Sequence, residues 1–129
     1  MYYVADTHSL IWYLSEDKRL GSNALQIFMM ADKGEETIII PTIVLAELIY
    51  ICERKKAEVK IKAVFDMIKN SLNYLPYPLN VPVLEKSMVL KDFRDMHDRI
   101  IVATALTNNA TLITKDDMIR KSKLIRTIW

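Results

Sequence analysis

Four carboxylates carry the chemical interest of this sequence: Asp6 in VADTHSL, Glu47 in IVLAELIYI, Asp98 in HDRIIVATAL and Asp116 in LITKDDM. Each borders or interrupts an apolar run, where a charged acid is costly to keep. Each also has an ordinary structural explanation. Asp6 and Asp98 suit helix N-caps, Asp116 a turn residue or cap, and Glu47 one half of a salt bridge. Gathered in one place, three or four such acids repel one another and raise their own pKa values. A divalent cation resolves that conflict. Only oxygen donors are on offer, so the expected ion is Mg2+ or Mn2+ with several waters retained. Zinc is disfavoured, because His8 and His97 have no close partners at ligand spacing. A centre of this kind suits phosphodiester hydrolysis, with one ion activating water and a second stabilising the leaving oxygen.

Whether the acids can meet depends on the elements that carry them. Residues 2–5 read as a strand, and DTHSLIWYLSED shifts to helical spacing through Leu10, Ile11 and Leu14. GSNALQIFMMADKG reads as a second helix, with Ser22 or Asn23 as N-cap and Gly34 as terminator. TIIIP is a short, wholly apolar strand of the kind buried on both faces of a parallel sheet, and Thr42 can cap the helix IVLAELIYICERKK. A further amphipathic helix runs over EVKIKAVFDMIKN. LNYLPYPLNVP holds three of the four prolines and so reads as an edge strand or extended connection. VLEKSMVLKDF and HDRIIVATALTNN are expected helices, ATLITK a strand and KLIRTIW a final strand. Alternating strands and helices predict an α/β sandwich around a mostly parallel sheet. Ligands bind such a sheet outside the C-terminal ends of its strands. Asp6 and Asp116 fall at strand ends, and Glu47 and Asp98 near helix starts, so one edge of the sheet can receive all four.

Composition narrows the class. The 129 residues suit a single domain over 1–129, and half apolar content (51%) with only two glycines argues against disorder or a fibrous repeat. One cysteine, Cys52, rules out a disulfide framework or a cysteine-rich zinc site, and its apolar surroundings make it a packing residue. No apolar run is long enough for a membrane span, and the first residues lack the order of a signal peptide. A cytoplasmic protein is therefore expected. The net charge of +2 permits an anionic partner without requiring one. Basic residues gather at Arg54, Lys55 and Lys56, which read as the complement to a helix C-terminus. They gather again at Lys115, Arg120, Lys121, Lys123 and Arg126, either a solvated surface or a strip for backbone phosphates.

Three segments, in order and at matching separations, resemble the PIN-domain ribonucleases, specifically the VapC-like toxins of type II toxin–antitoxin systems. They are VADTHSLIWYLSEDKRLG, IPTIVLAELIYI and RDMHDRIIVATALTNNATLITKD, and the likeness extends over essentially the whole chain. The resemblance implies a PIN-like three-layer α/β/α sandwich around a mostly parallel central sheet. It also implies a metal-dependent endoribonuclease whose Mg2+ or Mn2+ is held by Asp6, Glu47, Asp98 and Asp116. Thr114 matches a position where the family often has a hydroxyl near the metal-associated water. Asp95 matches the first acid of an Asp-x-x-Asp-Arg segment and reads as a supporting residue, since a helix start at Asp98 favours the second acid. Arg99 matches the arginine of that segment, where pairing with a neighbouring carboxylate competes with substrate contact. His8 belongs to the family motif and reads as a structural residue of the first helical turn. The family's toxins form homodimers and are silenced by a cognate antitoxin that covers the site.

The sequence departs from the family pattern in places. Met96-His97 stands where Pro-Phe is usual, so His97 can line the site, although a surface histidine beside it is the simpler reading. Asp117 follows Asp116 and is an alternative fourth acid. Two other readings compete: a PIN-type nuclease acting in RNA processing or on DNA without an antitoxin, and an inactive domain that binds RNA or protein. A haloacid-dehalogenase-type phosphatase, which also begins with a strand-end aspartate, needs a second aspartate where His8 stands.

Overall fold

The computed structural model describes residues 1–129. The element order is β1 (Tyr2–Ala5), α1 (Thr7–Leu14), α2 (Ser22–Asp32), β2 (Thr37–Pro41), α3 (Thr42–Glu53) and α4 (Ile61–Asn70). It continues through β3 (Tyr74–Tyr77), α5 (Val81–Ser87), α6 (Met96–Thr107), β4 (Thr111–Ile113), α7 (Asp117–Lys121) and β5 (Thr127–Ile128). The five strands form one sheet in the order β3-β2-β1-β4-β5, and every adjacent pair is parallel. This is the parallel central sheet that the alternation of strands and helices predicts. Burial follows strand position. Val4, Ile38, Ile40, Leu112 and Ile113 on the three inner strands are fully buried, whereas the edge strand β3 exposes Leu75 and Pro76. Proline is tolerated there because an edge strand need not donate along its free side.

The strand order creates the site. From β1 the chain steps outward to β2 and β3, then returns across the sheet to place β4 on the other side of β1. Right-handed crossovers running in opposite directions put their helices on opposite faces and leave a crevice where the direction reverses. That reversal lies between β1 and β4. Their register pairs Ala5 with Ile113, so the residues that follow, Asp6 and Thr114, emerge side by side.

Several boundaries differ from the sequence expectation. The N-cap of α2 is Gly21, with no side-chain cap, rather than Ser22 or Asn23. Trp129 packs so closely on Gly21 that a Cβ there would lie 2.6 Å from its backbone and ring, which excludes the usual capping side chains. Gly34 does end that helix region, at a φ of 79°. Thr42 is the first residue of α3 rather than its cap, and its hydroxyl accepts from the Leu79 N–H at 3.2 Å. α4 begins at Ile61, later than expected, and α5 spans only Val81–Ser87, with Asn80 capping through the Val83 N–H. α7 is absent from the sequence reading, because five residues are too few for periodicity to register. No helix is long and apolar enough to cross a membrane.

Candidate active site

Asp6 is the N-cap of α1. Its Oδ1 accepts the Ser9 N–H at 2.9 Å, and its carbonyl accepts the Ser9 hydroxyl at 3.0 Å. The strand-to-helix turn thus fixes the carboxylate at the end of β1. Burial pushes the Asp6 carboxyl above its ordinary value, against the opposing pull of the Thr114 hydroxyl and the Ser9 N–H and hydroxyl. Thr114 is fully buried at the end of β4, where its Oγ1 accepts the Asp116 N–H at 3.1 Å. Asp116 in turn caps α7 through the Ile119 N–H at 3.0 Å. Glu47 lies on the second turn of α3 and makes no salt bridge, unlike the sequence expectation. It accepts a hydrogen bond from Thr7 Oγ1 at 3.0 Å. Thr7 is the residue that sequence reasoning missed; its only signal was its place directly after Asp6 at the start of α1.

At the other side of the cleft, α6 starts at Met96, two residues before Asp98. Its N-cap is Asp95, whose Oδ1 accepts the N–H groups of His97 at 2.7 Å and Asp98 at 3.2 Å. Asp98 is therefore not a cap, and its side chain is free to face the cleft. Removing the cap in Asp95→Ala is expected to cost about 1 kcal/mol of stability, with Asp95→Asn retaining most of it. Urea unfolding of the two variants measures the difference, and equal losses would show that the hydrogen bonds to the helix start contribute little. Arg99 pairs with no carboxylate. Its guanidinium donates to the carbonyls of Phe93 and Lys91, the latter at 3.2 Å, and ties down the segment before α6.

Asp6, Glu47, Asp98 and Asp116 line one open cleft of about 560 Å3, together with Lys115 and Trp12. His8, His97, Asp95 and Asp117 also reach its wall. His97 thus lines the site, as its departure from the family pattern allowed, and lies 3.7 Å from Asp95. Electrostatics agree with the convergence. Burial first, and then the negative charges of Asp95, Asp116, Asp6 and Glu47, push the Asp98 carboxyl up to about 6. No three of these side chains stand close enough to enclose an ion. As a donor set they offer carboxylate oxygens with a neighbouring hydroxyl and neither sulfur nor paired imidazoles. That chemistry fits a hard divalent cation.

An all-parallel sheet with four acids at its switch point defines the class, and the sequence agrees. The chain belongs to the PIN domain family, whose model matches residues 3–123. Its fold is similar to VapBC2 from Rickettsia felis bound to a DNA fragment from its promoter, at a TM-score of 0.74 and 18% identity, covering 99% of this chain and 98% of that one. A toxin–antitoxin complex from Klebsiella pneumoniae is similar at a TM-score of 0.69 and 18% identity, with 98% and 96% covered. VapBC-1 from nontypeable Haemophilus influenzae follows at 0.64 and 19%, with 99% and 97% covered. At these identities the likeness is one of fold. No curated protein sequence matches the chain.

Proposed function

We propose that this protein is a metal-dependent endoribonuclease and the toxin of a type II toxin–antitoxin pair. The observation that carries the nuclease reading is the meeting of four acids from four different elements at the switch point of a PIN sheet, with Asp98 raised by burial and by its acidic neighbours. The partner reading draws support from the fold's similarity to toxin–antitoxin complexes. In this reading the cognate antitoxin covers the cleft and the toxin is a homodimer.

Asp6, Glu47, Asp98 and Asp116 would hold Mg2+ or Mn2+. When bound, the ion activates water and offsets charge on the phosphodiester oxygens. The chain's own contribution is arrangement. The Ser9 N–H orients Asp6, the Thr7 hydroxyl orients Glu47, and the Ile119 N–H orients Asp116. Three of the four acids are thereby oriented by the chain itself, while the Asp98 side chain has no such tether. Lys115 at the cleft wall brings a positive charge to the phosphate.

The test is cleavage of a mixed pool of structured and single-stranded RNA by the purified protein in Mg2+, in Mn2+ and in EDTA, alongside Asp6→Asn. Asparagine keeps a capping oxygen for α1, so the variant isolates the lost charge. Cutting in metal, and none in EDTA or by the variant, is expected. A folded protein that cuts in neither metal, or a variant that cuts as well as the parent, would end the reading.

A further inference from the structure

A second depression, of about 500 Å3, opens beside the acidic cleft and shares His8 and Trp12 with it. Its character is opposite. Arg19, Lys55 and Lys56 line it, and of its two acids Asp17 is already held by Arg19 at 2.7 Å, leaving Glu58. Lys55 and Lys56 are exposed, and neither forms an ion pair. They follow the C-terminus of α3, where their N–H groups close its last turn at 3.0 and 3.1 Å and their charge complements its dipole, and they also line the groove. Arg54 is engaged elsewhere, its guanidinium 4.5 Å from the centre of the Tyr50 ring. Lys55 moreover holds a φ of 54°, a left-handed conformation for which glycine is the low-cost residue.

Trp12 joins the two depressions. Lys115, a cleft residue, places its Nζ 5.7 Å from the Trp12 ring, and Arg19, a groove residue, places its guanidinium at 4.7 Å. The His8 ring lies 5.5 Å away and the Trp129 ring packs edge-on at 5.7 Å. Cations flanking an aromatic ring, in a groove that runs into an acidic cleft, are the elements of a single-strand binding track. The acids that would serve the reacting phosphodiester also repel its neighbours along the strand, and unpaired lysines next to them offset that repulsion.

We infer that the groove between α1 and the end of α3 binds the stretch of a single RNA strand adjoining the phosphodiester in the acidic cleft, with Lys55 and Lys56 contacting its phosphates. This deepens the nuclease reading and rests on it. The exposed His8 ring at the junction favours a nucleic acid over an acidic protein segment, since every base has a face to lay on it.

The test compares the wild type with a variant carrying Lys55→Gly and Lys56→Gln. Binding of a short labelled oligouridine in EDTA is followed by fluorescence anisotropy over a salt series. Affinity is expected to fall about tenfold, and the slope of log K against log salt to shrink by about 1.4, since each single-strand phosphate contact contributes about 0.7. The melting temperature should match or exceed the wild type's, because glycine suits the left-handed position. Unchanged affinity and slope in a folded variant overturn the groove assignment, while RNA cleavage by the wild type in Mg2+ keeps the nuclease reading. A wild type that neither binds nor cuts RNA removes both. A poly-glutamate peptide that binds the wild type but not the variant, with RNA affinity unaltered, makes the groove a protein-contact surface and also overturns the assignment.

Discussion

Asp98→Asn is expected to lower RNA cleavage about 100-fold or more while making the ion-free fold more stable at neutral pH. Changes in the groups that merely support a metal ligand cost about 10–100-fold, so loss of a ligand's charge falls at or beyond the upper end of that range. The gain in stability follows from the raised pKa. The folded protein holds the Asp98 proton more tightly than the unfolded chain, with a pKa of about 6 against 3.8. Stability is therefore fully present below about pH 4, declines as pH rises towards 6, and stays lower above it. Two units correspond to about 3 kcal/mol at most. The side chain is partly exposed, and solvent screening brings the expected cost to about 1 kcal/mol. Asparagine has no charge to penalise. Denaturant unfolding in EDTA between about pH 4 and pH 8 tests this. The wild type should lose more stability across that range than the variant. Parallel curves would show that the four acids do not burden Asp98.

Phe28→Ala should destabilise the protein by about 3–5 kcal/mol, a large part of the roughly 5–15 kcal/mol typical of a domain. Phe28 is fully buried on α2, and its ring stacks on Tyr13 of α1 with centroids 4.4 Å apart. Its carbonyl accepts the Tyr74 hydroxyl at 3.3 Å, and the hydroxyls of both tyrosines also reach the Asp32 carboxylate. Burial, and then that carboxylate, push both tyrosine pKa values up, so the pair stays protonated and donating. The ring therefore ties α2 to α1, whose first residues carry Asp6 and Thr7. Urea unfolding should give a lower midpoint with an unchanged slope. A loss under about 1 kcal/mol would mean that α2 lies outside the cooperative core. Activity in this variant should fall only as far as the folded fraction does, in contrast to Asp98→Asn.

Much of the site is legible in the amino-acid sequence. VADTHS announces a buried strand turning into a helix with an acid at the junction, and the N-cap role expected of Asp6 is the one it has. TIIIP reads as a strand buried on both faces and ATLITK as a strand, and both pair with β1. Legibility ends where a single residue's role depends on a partner distant in sequence. Glu47 looks like half of an ion pair, yet its partner is a hydroxyl 40 residues away. Arg99 looks like a match for a carboxylate, yet it clamps carbonyls of the preceding loop. Asp95 and Asp98 are both plausible caps in a helix-start segment, and only backbone hydrogen bonds distinguish them.

By itself the sequence determined the class of elements, the all-oxygen donor set and the apolar runs that must be buried, because these depend on local periodicity and side-chain chemistry. Tertiary structure decided the strand order. The return crossing that seats β4 against β1 sets Asp6 beside Thr114 and brings Glu47 and Asp98 to the same crevice, while the pairing of β1 with β2 puts the lysines after α3 in one depression with Trp12 of α1. Order of this kind arises from competition among long-range packings, in which each helix must cover a particular face of the sheet. A residue's immediate neighbours in sequence carry little of that information.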